Sequence, residues 1–185
     1  DAEIYSDQVL GNAAEGSRAV YFTGRPGNSI HRIYLVSQQF NLTNYNTLKF
    51  EFKYLLIHLE TLVNGEAEFA SVDICKGTPD QCGAGATLNK TGLNDTTKWK
   101  TLFKKTGPAG LNRNGHNHVV ADWTGVSGTT DLNAIDKSKV IIRIQAYMDE
   151  GFKTIKKVNG VDAPDTNSNM EDGIGFDFFR LTAIR

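Results

Sequence analysis

Alternation of apolar and polar residues is the dominant pattern along this chain. The clearest case is Leu48–Tyr54, where four apolar residues alternate with three charged ones. A period of two places successive side chains on opposite faces of a strand, so this segment is predicted to be a half-buried β-strand. Period-two alternation or a run of β-forming residues between turn residues predicts further strands at Ser17–Gly24, Ser29–Val36, Glu68–Cys75, Lys98–Thr106, His116–Trp123, Lys139–Asp149 and Gly173–Arg185.

Helical periodicity does not reach the ~11 residues of a mean helix anywhere in the sequence. The one expected helical element is a short turn near Leu132–Lys137, with Asp131 as its cap. Strands without intervening helices form antiparallel sheets, and two such sheets bury their apolar faces by stacking. The sequence therefore predicts an all-β fold, a two-sheet antiparallel β-sandwich of jelly-roll type, spanning residues 1–185 as one domain.

The charge balance narrows the range of partners. Twenty basic and 21 acidic residues in a chain of 185 give a net charge of −1. This balance provides no electrostatic attraction to nucleic acid or to an anionic membrane. No apolar stretch approaches the ~20 residues that cross a bilayer, so we expect no membrane insertion. The oligomeric state is left open.

The two cysteines suggest the compartment. Cys75 and Cys82 flank the turn-forming residues Gly77–Asp80, which bring the chain back on itself. This geometry favours a disulfide and hence an oxidising compartment. Their spacing does not match a zinc site, and the alternative to a disulfide is a pair of buried free thiols.

Four segments stand out when they are taken in order along the chain: Glu15–Phe22, Phe40–Phe52, Val140–Ile144 and Asp172–Leu181. Together they resemble parts of extracellular jelly-roll modules, namely MAM-like domains and carbohydrate-binding domains of secreted proteins. The resemblance implies a β-sandwich, a secreted or cell-surface location and a binding or adhesive role. The chain departs from the closing pattern at Phe178, where Asn is usual, and lacks the larger cysteine set of animal MAM domains. We therefore interpret the resemblance as that of a remote relative of these modules and not of a true MAM domain.

Asp177 is a carboxylate inside an otherwise apolar strand. Burying a carboxylate without partners is costly, so Asp177 needs a cation or hydrogen-bond donors. In the jelly-roll relatives an Asp at this place often helps to hold a structural calcium, and Glu3 on the first strand is a candidate second carboxylate. The alternative is an Asp hydrogen-bonded to backbone amides.

A sheet face opposite the core carries the candidate ligand-binding residues. Because Val140, Ile142 and Ile144 are predicted to face the core, Arg143, Gln145 and Tyr147 point to the other side. By the same alternation, Ser71 and Asp73 lie opposite the core positions of Glu68–Cys75. A face with these five residues suits a hydroxyl-rich ligand, and the alternative is an ordinary solvated face.

Catalytic motifs are absent from the sequence. There is no Gly-x-Ser-x-Gly, His-Glu-x-x-His or Walker motif. His116 and His118 share a strand face, but two ligands do not make a metal site. The leading hypothesis is a non-catalytic extracellular recognition module for carbohydrate or a cell-surface ligand. Its alternatives are a structural or adhesive protein acting through protein–protein contacts, and a jelly-roll enzyme acting on polysaccharide.

Overall fold

The structure, a computed structural model, describes residues 2–6, 18–22, 30–59, 62, 66–107, 123–148, 155–158, 161–164 and 173–185. Its strands are β1 (Ala2–Ser6), β2 (Arg18–Phe22), β3 (His31–Val36), β4 (Thr47–His58), β5 (Phe69–Cys75), β6 (Trp99–Thr106), β7 (Thr124–Asp131), β8 (Ile142–Met148), β9 (Ile155–Val158), β10 (Val161–Pro164) and β11 (Gly173–Ile184). A five-residue helix, α1 (Lys90–Asn94), precedes β6, and 3-10 turns lie at Thr96–Lys98 and Lys137–Lys139. None of the described helices is long and apolar enough to span a bilayer.

The strands form two main antiparallel sheets. The first has the order β1-β2-β11-β4-β7, the second has the order β3-β8-β5-β6, and β9 pairs with β10 separately. The chain passes repeatedly between the two sheets, for example from β2 to β3 and from β4 to β5, as in jelly rolls. The predicted all-β sandwich is therefore confirmed.

The core lies between the two sheets and follows the predicted alternation. On β5 the side chains of Ala70, Val72 and Ile74 are fully buried, and on β4 Phe50 and Phe52 are at most 5% exposed. Phe52 packs edge-on against Phe103 of β6, with ring centroids 5.2 Å apart. Burying a large apolar side chain of this kind on folding contributes about 1.5–3 kcal/mol to the free energy of unfolding. This shared core fixes which face of each sheet remains for other contacts.

Strand β7 was not predicted. The predicted strand His116–Trp123 lies almost entirely outside the described residues, and β7 begins directly after it. The sequence of β7 is Thr-Gly-Val-Ser-Gly-Thr-Thr-Asp, which lacks apolar alternation. Its pairing along β4 over eight residues compensates for this weak local preference. Gly128 is required there, because a Cβ atom would lie 2.5 Å from the Phe50 ring.

The expected helical turn at Leu132–Lys137 is only partly present. Leu132 and Ile135 close a turn through a backbone hydrogen bond of 3.1 Å, and the 3-10 turn follows at Lys137–Lys139. Asp131 acts as a cap, since its Oδ1 accepts the N–H of Asn133 at 2.6 Å. By contrast, α1 was not expected, because five residues that include a glycine carry no helical stripe.

A bulge interrupts β11 between Asp177 and Arg180, where the register with β4 shifts. Phe178, at the bulge, has a φ angle of 52°, the left-handed region that bulky residues rarely adopt. Its N–H donates to Oδ1 of Asp177 at 2.6 Å, and its ring lies 4.8 Å from the guanidinium carbon of Arg180. Asn tolerates this conformation more readily than a bulky aromatic residue, so Phe178 stores strain.

We predict that Phe178→Asn raises the free energy of unfolding by about 0.5–1 kcal/mol, because Asn adopts the left-handed region more readily than Phe. Urea denaturation provides the measurement. The matched control is Phe179→Asn, which should lower stability, because the Phe179 ring stacks on Phe52 at 4.9 Å. If both variants lose stability alike, the Phe178 backbone is not strained.

Candidate functional site

The face of the second sheet that points away from the core carries three cross-strand rows of side chains. The strand registers define these rows as Arg32–Tyr147–Phe69–Thr106, Tyr34–Gln145–Ser71–Lys104 and Val36–Arg143–Asp73–Thr101. We call this surface the outer face. It brings together all five residues that the sequence singled out as ligand-binding candidates.

A buried polar network occupies the middle of the outer face. Asp73 accepts hydrogen bonds on Oδ2 from Arg143 Nε at 2.9 Å, Ser71 Oγ at 2.9 Å and Gln145 Nε2 at 3.0 Å. Its Oδ1 accepts from Thr101 Oγ1 at 2.8 Å. Burial lowers the pKa of the Arg143 guanidinium, and the Asp73 carboxylate opposes this effect. Because four donors converge on one carboxylate, these side chains are fixed in position.

Helix α1 covers one half of the outer face. The backbone carbonyl of Leu93 accepts a hydrogen bond from Arg143 Nη1, and the carbonyl of Gly92 accepts from Trp99 Nε1 at 3.1 Å. The indole ring of Trp99 lies under the Arg143 guanidinium, 4.2 Å from its carbon. Arg143 is thus enclosed between an aromatic ring and the end of a helix.

A disulfide ties this cover to the sheet. Cys75, at the end of β5, is bonded to Cys82, with sulfur atoms 2.01 Å apart, which confirms the predicted pair. Gly83, with a φ angle of +70°, lies so close to Gly92 that a Cβ on Gly92 would be 2.4 Å from the Gly83 nitrogen. The segment between the disulfide and α1 therefore packs tightly, and only glycines fit at its closest approach.

Four of the five candidate residues are buried, so the alternative of an ordinary solvated face does not hold for them. Ser71, Asp73, Arg143 and Gln145 are at most 4% exposed, and only Tyr147 is partly exposed. The alternation correctly placed them opposite the core, but it carries no information about a segment that covers the face. The signal that was missed is local: the buried Leu93 and Trp99 flank the 3-10 turn at Thr96–Lys98, beside the disulfide loop.

The other half of the outer face is aromatic and partly exposed. Phe69 and Tyr147 are half-buried neighbours with ring centroids 5.6 Å apart. The exposed guanidinium of Arg32 lies 4.4 Å from the Tyr147 centroid, and Nζ of the exposed Lys104 lies 4.2 Å from the Phe69 centroid. Tyr147 Oη donates to Glu66 Oε2 at 2.7 Å. We call this surface the aromatic platform; sequence reasoning singled out only its Tyr147.

A polar niche of about 70 Å³ adjoins the aromatic platform. It is lined by Phe69, Ser71, Thr96, Trp99, Thr101, Lys104, Arg143 and Gln145. The Oε1 atom of Gln145 is buried and has no hydrogen-bond partner among the described residues. A buried acceptor without a donor costs about 1–3 kcal/mol, so a donor group that reached it would gain a favourable interaction.

Asp177, the predicted calcium ligand, lies at the bulge of β11. Its Oδ1 is used by the Phe178 N–H, and register places Asp177 opposite Lys53 of β4. Glu3 pairs with Tyr21 on β2, whereas Asp177 lies one position beyond the pairing of Phe176 with Val20. The part of the chain that the structure describes contains no group of three potential metal-ligating side chains. The calcium site stays a prediction, and His116 and His118 lie outside the described residues.

A second, larger recess of about 600 Å³ opens between the two sheets. It is lined by Ala19, Val20, Leu35, Val36, Ser37, Ile142, Ile144, Phe176, Asp177, Phe178, Phe179 and Leu181. Its walls are mostly apolar, and the residues on either side of β2 lie outside the described ranges. We assign no ligand to it.

Comparisons with known proteins return likenesses of structure alone. No protein-family model matches the chain, and no curated protein matches it. The K2 cleaved adhesin domain of Lys-gingipain is similar over 98% of this chain and 81% of its own, with 15% identity and a TM-score of 0.45. The module CBM27-1 of Caldicellulosiruptor saccharolyticus, solved with mannohexaose, is similar over 97% and 80%, with 15% identity and a TM-score of 0.39.

A third likeness is to the structure of infectious bursal disease virus, Gt strain. It covers 99% of this chain but 32% of the viral chain, with 9% identity and a TM-score of 0.34. At these TM-scores, none of the three likenesses bears on the function of this chain, which we argue from its own residues.

We predict that Arg143→Met lowers the free energy of unfolding by about 3–5 kcal/mol, because it leaves the Asp73 carboxylate buried and unpaired. The double variant Arg143→Met/Asp73→Leu should recover part of this loss, since it leaves no buried charge. Urea denaturation of both variants measures the coupling between the two residues.

Arg185→Met serves as the control, because Arg185 is exposed at the end of the described chain and should change stability by no more than about 0.5 kcal/mol. A loss below about 1 kcal/mol in Arg143→Met would mean that the pair and the helix cover above it do not stabilise the fold.

Proposed function

We propose that this chain is a non-catalytic extracellular recognition module that binds carbohydrate at the aromatic platform and the adjoining niche. The observation that carries the proposal is the buried Oε1 of Gln145, which has no hydrogen-bond partner among the described residues and lies beside two half-buried aromatic rings. A ligand for this site needs an apolar face for the rings and a hydrogen-bond donor for the amide oxygen. Sugars combine both on one rigid ring.

The dimensions of the site agree with a sugar lying across it. A water molecule takes about 30 Å³ of liquid volume. The niche, at about 70 Å³, therefore has room for a hydroxyl or hydroxymethyl group but not for a whole sugar ring. In the proposed complex the ring lies over Phe69 and Tyr147, one donor group enters the niche, and the exposed hydroxyls of Thr96 and Thr101 contact its edge.

The rigidity of the site supports binding. Phe69 and Tyr147 stand on adjacent central strands, and Gln145 is held by its two hydrogen bonds, 2.9 Å to Ser71 and 3.0 Å to Asp73. Side chains that are already ordered lose little conformational entropy when a ligand binds. The disulfide between Cys75 and Cys82 supports an oxidising, extracellular setting.

The carboxylates near the site support binding over catalysis. Asp73 is 1% exposed and engaged by four donors, one of them a guanidinium, so it is poorly placed to take a proton from a ligand. Glu66 accepts the hydrogen bond from the Tyr147 hydroxyl. Neither residue forms an exposed pair of carboxylates of the kind that hydrolyses glycosidic bonds.

A glycan array identifies a bound oligosaccharide, and calorimetry on that oligosaccharide measures its affinity. We expect Phe69→Ala and Tyr147→Ala each to weaken binding about tenfold or more, because each removes a stacking surface. The control is Phe179→Ala, which removes an exposed aromatic ring from the other sheet and should leave affinity unchanged. Near-ultraviolet circular dichroism verifies that each variant is folded.

The proposal fails if the wild-type protein binds no oligosaccharide on the array. It also fails if affinity is the same in wild type, Phe69→Ala and Tyr147→Ala, because binding would then take place elsewhere on the molecule.

A further inference from the structure

We infer that the aromatic platform selects glycans that carry acidic groups, carboxylate or sulfate, and that Arg32 and Lys104 bind those groups. This inference rests on the proposed carbohydrate site and specifies its ligand class. It begins with the position of the two cations. Both side chains are exposed, and both lie against the ring of Phe69, with the Arg32 guanidinium carbon at 5.8 Å and Lys104 Nζ at 4.2 Å from its centroid.

The charge balance around the site favours an anion. Among the described residues, neither Arg32 nor Lys104 forms a salt bridge, whereas Arg143 is neutralised by Asp73 at 2.9 Å. Among the described residues, Glu66 is the acid seen to contact the platform, through the Tyr147 hydroxyl. Within that part of the chain, two cations without a carboxylate partner and one acid leave this patch positive, on a chain whose net charge is −1.

The placement of the cations on the rings makes a neutral sugar a poorer fit. Attraction between a cation and an aromatic face contributes about 0.5–1 kcal/mol at exposed sites. A neutral sugar that stacks on Phe69 has to displace Arg32 or Lys104 without offering them a new partner. A sugar with an acidic group gives the displaced cations a partner of opposite charge at the edge of the same ring.

The two cations provide complementary binding geometry. The guanidinium of Arg32 is planar and donates in parallel pairs to carboxylate or sulfate oxygens, while the ammonium of Lys104 acts as a compact point charge. Arg32 is on β3 and Lys104 on β6, the outer strands of the four-stranded sheet, so they approach the platform from opposite sides. An acidic group above Phe69 therefore lies within reach of both long side chains.

The test compares oligogalacturonide with its methyl-esterified form, which has the same sugar backbone without the negative charge. Calorimetry should show wild type binding the acid at least about tenfold more tightly than the ester, with the difference shrinking between 50 and 300 mM NaCl, roughly as expected for exposed ion pairs. A heparin-derived hexasaccharide forms the sulfate arm, and preference for either acid over the ester supports the inference.

Variants assign the preference to named residues. Arg32→Gln and Lys104→Gln should each weaken binding of the acidic oligosaccharide about fivefold, whereas the ester, which forms no ion pair with either cation, should bind at least as tightly as to wild type. The matched control is Lys100→Gln, because Lys100 is an exposed lysine on the same strand whose Nζ donates at 3.4 Å to the carbonyl of Asp131 instead. Melting temperatures verify that all three variants are folded, and Arg32→Gln and Lys104→Gln should lose no more stability than an exposed cation–aromatic contact contributes, about 0.5–1 kcal/mol.

Equal or tighter binding of the ester overturns the inference, and so does an equal loss of affinity in Lys100→Gln, which would indicate diffuse surface charge. In either case the proposed function survives if Phe69→Ala still weakens binding of the ester about tenfold or more. If neither the acid, the ester nor the hexasaccharide binds, and the glycan array is empty as well, the proposed function fails together with the inference.

Discussion

The ion pair between Asp73 and Arg143 is the interaction on which the organisation of the outer face depends. Burying either charge alone would cost several kcal/mol, so each is retained only because the other is 2.9 Å away. Arg143 then donates to the carbonyl of Leu93 at the end of α1, which links the ion pair to the helix cover. The cover completes the exclusion of water from the pair, and the pair in turn fixes where the cover ends.

The same network determines which part of the sheet is left for a ligand. Asp73 engages the amide nitrogen of Gln145 at 3.0 Å, so the amide oxygen is turned away from the carboxylate and has no partner among the described residues. The cover ends beside Thr96, one row short of Phe69 and Tyr147. The buried network that stabilises the fold and the proposed binding site are thus adjacent on one surface, and the side chain of Gln145 takes part in both.

The sequence predicts the fold well because strand alternation and core burial have the same physical origin. Leu48–Tyr54 is apolar on one side since that side packs on the other sheet, and the pattern reports this directly. Burial of Arg143 and Gln145 was missed because it depends on a separate segment, from Lys76 to Lys98, that folds back over the sheet. The turn residues between Cys75 and Cys82 predicted the loop closure, but no periodicity reports what the loop covers. Similarly, the left-handed φ of Phe178 follows from a register shift against β4, which involves two distant strands.

The binding surface proposed here combines buried side chains that are fixed by hydrogen bonds with exposed charged side chains at its edge, and this difference affects specificity. Ser71, Gln145 and Arg143 are held in place by hydrogen bonds. The Oε1 atom of Gln145 therefore accepts only from a group whose donor geometry already fits, and these residues contribute little to choosing among sugars that share such a hydroxyl. Arg32 and Lys104 stand on the rim with long, flexible side chains, and their charges act over the Debye length of about 8 Å at physiological salt. Arg32 and Lys104 therefore discriminate between ligands by charge. A substitution at either position changes affinity without disturbing the buried network that connects the sheet to helix α1.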